Sequence, residues 1–232
     1  MAERPEHVRA LGVLARVDDE LLRRADCWFA GGTAVALRCD EFRLSRDVDF
    51  LCASVAGYRA LRERVFERGG AGLFKSPITL AREARADRYG IRLAVSLDGG
   101  DPIKLEIVSE GRILLAGVDD ATLPVPRLCD ADLVAEKLLA NEDGLFDDAS
   151  LGRDAIDLIM LEHALGGLPA AAWEKATLAY GASVEVAWRR ALERLRDRPE
   201  KLARWLDVMA VSPAARGVVE AKLRTLPARD EG

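Results

Sequence analysis

The sequence predicts an α+β fold in its first half and an all-α fold in its second, joined near residue 125. Three observations carry this. Ile91, Leu93, Val95 and Leu97 alternate strictly, and Ile103-Lys104-Leu105-Glu106-Ile107 resumes the alternation after Asp98-Gly99-Gly100, residues suited to positive φ in a hairpin turn. Pro124 and Pro126 mark a joint. Beyond them apolar residues recur at helical spacing almost to the end of the chain. The expected domains are 1–125 and 126–232.

Each element has its own signal. Val8, Leu11, Leu14 and Ala15 share one helical face, and Leu21 and Leu22 continue into a second short helix. Residues 26–30 read as a buried strand ending at Gly31-Gly32, and 33–38 as a helix that starts at that glycine pair. Residues 47–51 are the next strand. A helix over 55–68 would turn Tyr58, Leu61, Val65 and Phe66 inward. From 78 to 116 the pattern is β-like. Helices are expected at 132–141, 152–165 and 169–180, with further amphipathic segments to Leu226 and a short polar tail at 228–232. The arginine-rich stretch 188–205 is interrupted by Glu193, Asp197 and Glu200 and broken at Pro199. It reads as amphipathic helices, with Trp188 and Trp205 in the core, rather than as a nucleic-acid platform.

Composition narrows the function. The chain has 232 residues, 50% hydrophobic and 31% charged, with 34 Lys and Arg against 39 Asp and Glu for a net charge of −5. An acidic balance disfavours a protein that coats nucleic acid by bulk charge, although a local basic stripe stays open. No apolar run approaches the ~20 residues that span a bilayer, and the opening MAERPEHVRA lacks a signal-peptide core, so a cytoplasmic protein without membrane attachment is expected. Cys27, Cys39, Cys52 and Cys129 form no C-x-x-C pair and read as buried thiols of a reducing compartment. His7 and His163 are the only histidines, which disfavours a histidine-rich zinc site or a Ser-His-Asp triad. Catalysis would rest on carboxylates.

Those carboxylates are Asp47, Asp49 and Glu106. Residues i and i+2 of a strand share a face, about 6.6 Å apart along the chain, so Asp47 and Asp49 project together while Val48 and Phe50 point inward. Two carboxylates so placed repel unless a cation sits between them, and Mg²⁺ takes one or two carboxylates together with substrate phosphates. The glycine pair Gly31-Gly32 before a helix complements this, because bare backbone and free N–H groups at a helix N-terminus favour close approach of phosphate. Glu106 shares its strand face with Lys104. Three acids from two strands would suffice for a two-metal site. Taken singly, D-x-D and Gly-Gly are also ordinary turn and strand-end chemistry. The ordered set is what points to a metal-assisted reaction on a phosphorylated substrate.

Ala30-Gly31-Gly32-Thr33-Ala34 followed by Arg43-x-Ser45-x-Asp47-x-Asp49-Phe50 resembles the signature of the DNA polymerase β nucleotidyltransferase superfamily, and more narrowly of the AbiEii/AbiGii toxin-like nucleotidyltransferases. Ala135-Glu136-Lys137-Leu138-Leu139-Ala140 and Arg153-Asp154-x-x-Asp157-Leu158 resemble that group's later motifs. The match runs in order from Phe29 to about Leu161. It departs from the pattern in three places. Gly31-Gly32 stands where the superfamily often has Gly-Ser, Glu106 where it often has Asp, and Asn141-Glu142-Asp143-Gly144 where an arginine is common.

The resemblance implies a nucleotidyltransferase-type mixed sheet followed by a helical domain closing one side of the nucleotide cleft. It implies transfer of a nucleoside monophosphate from an NTP to an acceptor hydroxyl, of RNA, tRNA or protein, with Mg²⁺ or Mn²⁺ as cofactor. Asp47 and Asp49 would bind the metal, and Glu106 a second ion or the acceptor proton. Gly31, Gly32, Thr33, Ser45, Lys137, Arg153 and Asp157 would contact nucleotide, and a cognate antitoxin would be the protein partner. For several of these the residues alone leave a second reading open. Lys137 can lay its stem on apolar surface, Arg153 and Asp157 can pair at i and i+4, and Arg43 and Ser45 can position the loop that bears the aspartates. Small-molecule modification of the antibiotic-modifying type, or a weakly active interaction module with the same fold, are the alternatives.

Overall fold

The alternating segments pair as their pattern requires. β4 (Gly90–Ser96) and β5 (Ile103–Ser109) run antiparallel, with Ile91 opposite Ile107, Leu93 opposite Leu105 and Val95 opposite Ile103. All six side chains are buried. Asp98 and Gly99 take φ of 49° and 74° at the turn, the left-handed region their residue types favour. The computed structural model describes residues 2–144 and 151–227; the polar tail read at 228–232 lies outside the described residues. The chain divides into two compact units, Met1–Leu133 and Val134–Gly232. That boundary falls inside α5 (Asp130–Asp143), past the joint read at Pro124 and Pro126.

In the first unit, β1 (Cys27–Ala30), β2 (Val48–Cys52), β3 (Thr79–Ala86), β6 (Gly117–Val118) and β7 (Arg127–Leu128) complete a seven-stranded mixed sheet. Its order is β3-β4-β5-β2-β1-β7-β6. β2 lies parallel to β5 on one side and antiparallel to β1 on the other, so the strand that carries Asp49 is central. Phe29 and Phe50 meet from β1 and β2 with ring centroids 5.9 Å apart, and both are fully buried. The helices of this unit are α1 (Pro5–Leu14), α2 (Asp19–Arg24), α3 (Gly31–Arg38) and α4 (Val55–Arg68). Asp18 caps α2 by accepting from the Leu21 N–H, and Ser54 caps α4 by accepting from the Gly57 N–H. α4 buries Gly57, Tyr58, Leu61 and Val65. Phe66, expected inward, is instead 93% exposed, because it lies about 100° past Val65 around the helix and beyond that arc.

The second unit is helical throughout its described elements: the later part of α5, α6 (Leu151–Leu165), α7 (Ala170–Tyr180), α8 (Ser183–Asp197), α9 (Pro199–Val208) and α10 (Pro213–Arg224). Pro199 and Pro213 stand in the first turns of their helices, where a missing N–H loses no hydrogen bond. α8 buries Val184, Ala187, Trp188, Ala191, Leu192 and Leu195, so Trp188 is core, as its apolar neighbours predict. A Cβ at Gly152 would run into the Trp205 ring, which places that glycine under the indole. All four cysteines are free thiols; Cys27, Cys39 and Cys52 are buried and Cys129 is half-buried. No helix among the described residues is long and apolar enough to cross a membrane.

Candidate active site

The site is built where β1 turns into α3 beside β2. Ala30 stands directly across from Asp49 in the antiparallel register. Gly31 follows at φ 72°, and a Cβ there would lie 2.5 Å from Asp49 Oδ2. A side chain is therefore excluded twice, by the left-handed backbone and by the carboxylate. α3 has no side-chain N-cap, so its first N–H groups are not satisfied from Ala30. The glycine turn thus presents bare backbone and helix N–H donors next to a carboxylate.

The segment leading into β2 is held from several directions. The Thr33 hydroxyl, fully buried, donates to the Asp47 carbonyl at 2.5 Å and lies 2.9 Å from the Ser45 hydroxyl. Arg43, also buried, donates through Nη1 to the Leu44 carbonyl at 3.0 Å and through Nη2 to the Gly32 carbonyl at 3.4 Å. A Cβ at Gly32 would come within 2.6 Å of Arg43 Nη2, which accounts for the second glycine. Of the two readings open for Arg43 and Ser45, positioning of the Asp47 loop is the one these bonds describe. Asp47 itself is exposed, just ahead of β2, and Asp49 is half-buried within it.

His7 completes the brace from α1. Its ring is fully buried. Nε2 accepts from the Ser45 N–H at 3.3 Å, so the proton sits on Nδ1, which lies 2.6 Å from Glu41 Oε1. Burial lowers the histidine pKa below its ordinary value of 6.5, against the Glu41 carboxylate, which raises it. As pH falls the unfolded chain therefore takes up this proton first. The stability contributed by neutral His7 is present above pH 6.5 and is lost as pH drops towards the lowered folded value. Melting temperatures followed downward from pH 6.5 should decline in the wild type. His7→Gln should start lower and show a shallower decline; equal slopes would mean the imidazole is not held neutral.

Glu106 lies beside Asp49 in the parallel β2–β5 register and opposite Arg92 in the β4–β5 hairpin. Its Oε1 is 2.6 Å from Arg92 Nε and its Oε2 is 2.6 Å from Lys104 Nζ, with the glutamate side chain 15% exposed. Burial opposes the charge of Glu106, but the Lys104 and Arg92 contacts outweigh it and lower the pKa. Lys104 is raised in turn, first by its bond to Glu106 and further by the nearby charges of Asp49 and Asp47. Asp87 also pairs with Arg92, at 3.2 Å. No group of three His, Cys, Asp or Glu side chains able to hold a metal ion is assembled among the described residues. The physical reason on the Glu106 side is that both of its oxygens already face side-chain cations.

In the helical unit, Lys137 is 8% exposed and Asp157 fully buried. Lys137 Nζ lies 2.8 Å from Asp154 Oδ1 and 2.8 Å from Asp157 Oδ2. The lysine thus bridges α5 to two successive positions of one face of α6. Arg153 points to solvent and makes no ion pair with a described residue, so the i, i+4 pair with Asp157 does not form. Three residues that matter here escaped the sequence reading. Arg92 could have been found by folding the hairpin about Gly99, which lays it on Glu106. His7 and Glu41 carry no local signal.

A glycine turn entering a helix is thus set beside a central strand of a mixed sheet, with Asp49 in that strand and Asp47 just ahead of it. The fold agrees with that of a solved antigenic nucleotidyltransferase-like protein from Paracoccidioides brasiliensis, at TM-score 0.50 and 14% identity over 85% of this chain and 92% of that one. A profile described as "Nucleotidyl transferase AbiEii toxin, Type IV TA system" matches residues 13–217, and the chain belongs to that AbiEii family. MenT4, a nucleotidyltransferase toxin from Mycobacterium tuberculosis, aligns over 97% of this chain and 96% of its own, at 16% identity and TM-score 0.35. JHP933 from Helicobacter pylori aligns over 88% of this chain and 99% of its own, at 14% identity and TM-score 0.37. Comparison with curated proteins gives no match.

Proposed function

We propose that this nucleotidyltransferase moves a nucleoside monophosphate from an NTP to a hydroxyl of an RNA, tRNA or protein acceptor, as the toxin of a pair with a cognate antitoxin. The observation that carries the reading is Gly31, whose missing side chain leaves helix N–H groups and the Asp49 carboxylate on one small surface. A triphosphate needs donors for its oxygens and a counter-charge, and that surface offers the first directly.

The donor set fits a divalent metal. Asp47 and Asp49 offer hard carboxylate oxygens, which suit Mg²⁺ or Mn²⁺. Bound there, such an ion would offset the charge of the triphosphate and of the departing pyrophosphate. The chain's own residues do the positioning. Gly31, Gly32 and the first turn of α3 take phosphate oxygens. Thr33, Ser45, Arg43 and His7 fix the backbone of the segment that carries Asp47. Glu106, its charge favoured by two neighbouring cations, orders Lys104 and Arg92 beside the aspartates. The resemblance assigns nucleotide contacts to Lys137, Arg153 and Asp157 as well. The acceptor oxygen bonds to the α-phosphorus and gives up its proton to water, the bond from the α-phosphorus to the bridging β-phosphate oxygen breaks, and pyrophosphate leaves.

The test is incubation with each α-labelled NTP and Mg²⁺ in the presence of total RNA or of a protein extract. Label should pass to one acceptor class with the wild type and to none with Asp47→Asn. Wild-type protein that labels nothing with any of the four nucleotides would overturn the proposal. Co-expression with the neighbouring gene's product should relieve growth arrest if that product is the antitoxin.

A further inference from the structure

We infer that the site takes one divalent cation, and that Lys104 supplies as a fixed side-chain cation the positive charge a second ion would otherwise bring. The inference rests on the proposed function and deepens it by assigning Lys104 a catalytic part.

Four observations on the open face of the sheet lead there. Asp49, Glu106 and Arg92 stand side by side across β2, β5 and β4, in the registers Asp49 to Glu106 and Glu106 to Arg92. Lys104 precedes Glu106 by two residues on β5 and shares its face. Its ammonium sits 2.6 Å from Glu106 Oε2, and the side chain is 43% exposed, so the charge is both anchored and accessible. The other oxygen of Glu106 is held at 2.6 Å by Arg92, which is itself tied to Asp87. Two-metal phosphoryl-transfer sites place their ions about 3.5–4 Å apart and need carboxylate oxygens turned towards both. Here the third acid turns its oxygens to an ammonium and a guanidinium. A second divalent ion at Glu106 would have to displace Lys104 or lie against it, charge upon like charge.

Positive charge beside the aspartates is still required, since phosphoryl transfer spreads negative charge over the equatorial and leaving oxygens. Lys104 meets that need. Its charge is felt by Asp49 and Asp47 as well as by Glu106. An ammonium is a compact donor that can follow a phosphate oxygen as charge shifts, whereas Arg92, clamped between two carboxylates, holds the geometry. Lys104 is therefore the group in contact with substrate, and Arg92 and Glu106 are its positioning residues.

The experiment counts ions directly. Mn²⁺ is titrated into the full chain with a non-hydrolysable NTP analogue, and free Mn²⁺ is read by electron paramagnetic resonance. One bound ion per chain is expected for the wild type. Lys104→Met, which keeps the stem and removes the charge, should bind the first ion at least as tightly, because the repulsion is gone. It should nevertheless transfer nucleotide about 100-fold more slowly, the scale for removing one preorganised donor. Lys104→Arg keeps the charge and should retain one ion and most of the rate, which guards against a misfolded methionine variant. Two ions per wild-type chain, or a Lys104→Met variant that transfers at the wild-type rate, would overturn this inference and leave the proposed function intact. No bound ion would instead overturn the metal site of the proposed function itself.

Discussion

Asp49→Asn is expected to abolish nucleotidyl transfer while leaving the melting temperature unchanged or raised. The substitution keeps the shape of a half-buried side chain and removes one of two neighbouring carboxylates that repel each other. Gly31→Ala should reach the same loss of activity by a different route. Its new methyl would lie 2.5 Å from Asp49 Oδ2 and 2.8 Å from Asp49 Cβ, on a backbone held at φ 72°. Alanine in the left-handed region costs about 1–2 kcal/mol, and overpacking typically adds about 1–3 kcal/mol. The alanine variant should therefore melt earlier as well as fail to transfer. Calorimetry beside the labelling assay separates the two. A fully active Asn variant would move the site elsewhere, and an alanine variant of wild-type stability would mean that the turn relaxes freely.

How far these residues could be read in advance depends on whether the signal is local. The β4–β5 hairpin was legible because its alternation and its turn residues agree, and both demand the same register. That register already contains the Arg92 and Glu106 contact, since the pairs mirror one another about Gly99. The glycine pair was legible as a tight turn, but its reasons were not. Gly31 is bare because of Asp49, eighteen residues further on, and Gly32 because of Arg43. Both are contacts across the sheet or its loops, which periodicity does not encode. His7 shows the limit most clearly. It sits on an amphipathic helix ahead of the matched family segment, and only folding brings its ring to Ser45 and Glu41. Phe66 failed for the opposite reason, because a local pattern overstated the width of the buried face of α4.

Lys137→Ala is expected to have the largest effect on stability in the helical unit. The ammonium lies 2.8 Å from carboxylate oxygens of both Asp154 and Asp157, and Asp157 is fully buried. Removing one partner of a buried ion pair typically costs about 3–5 kcal/mol. That is a large fraction of the roughly 5–15 kcal/mol by which domains are stable. Replacing both partners together, as Lys137→Met with Asp157→Leu, should recover much of the loss, because the desolvation penalty of the charges disappears with them. Urea unfolding of the single and double variants measures this directly, and a single variant as stable as the wild type would mean that water reaches Asp157. The nucleotide contact that the motif implies is read separately, under conditions where each variant is fully folded. There Lys137→Ala should raise KM for NTP more than it lowers kcat, since a lysine on a triphosphate acts already in the ground state. Lys137→Arg should restore part of both properties. An unchanged KM in a folded Lys137→Ala protein would confine the lysine to holding α5 and α6 together, and leave nucleotide binding to the glycine turn and its aspartates.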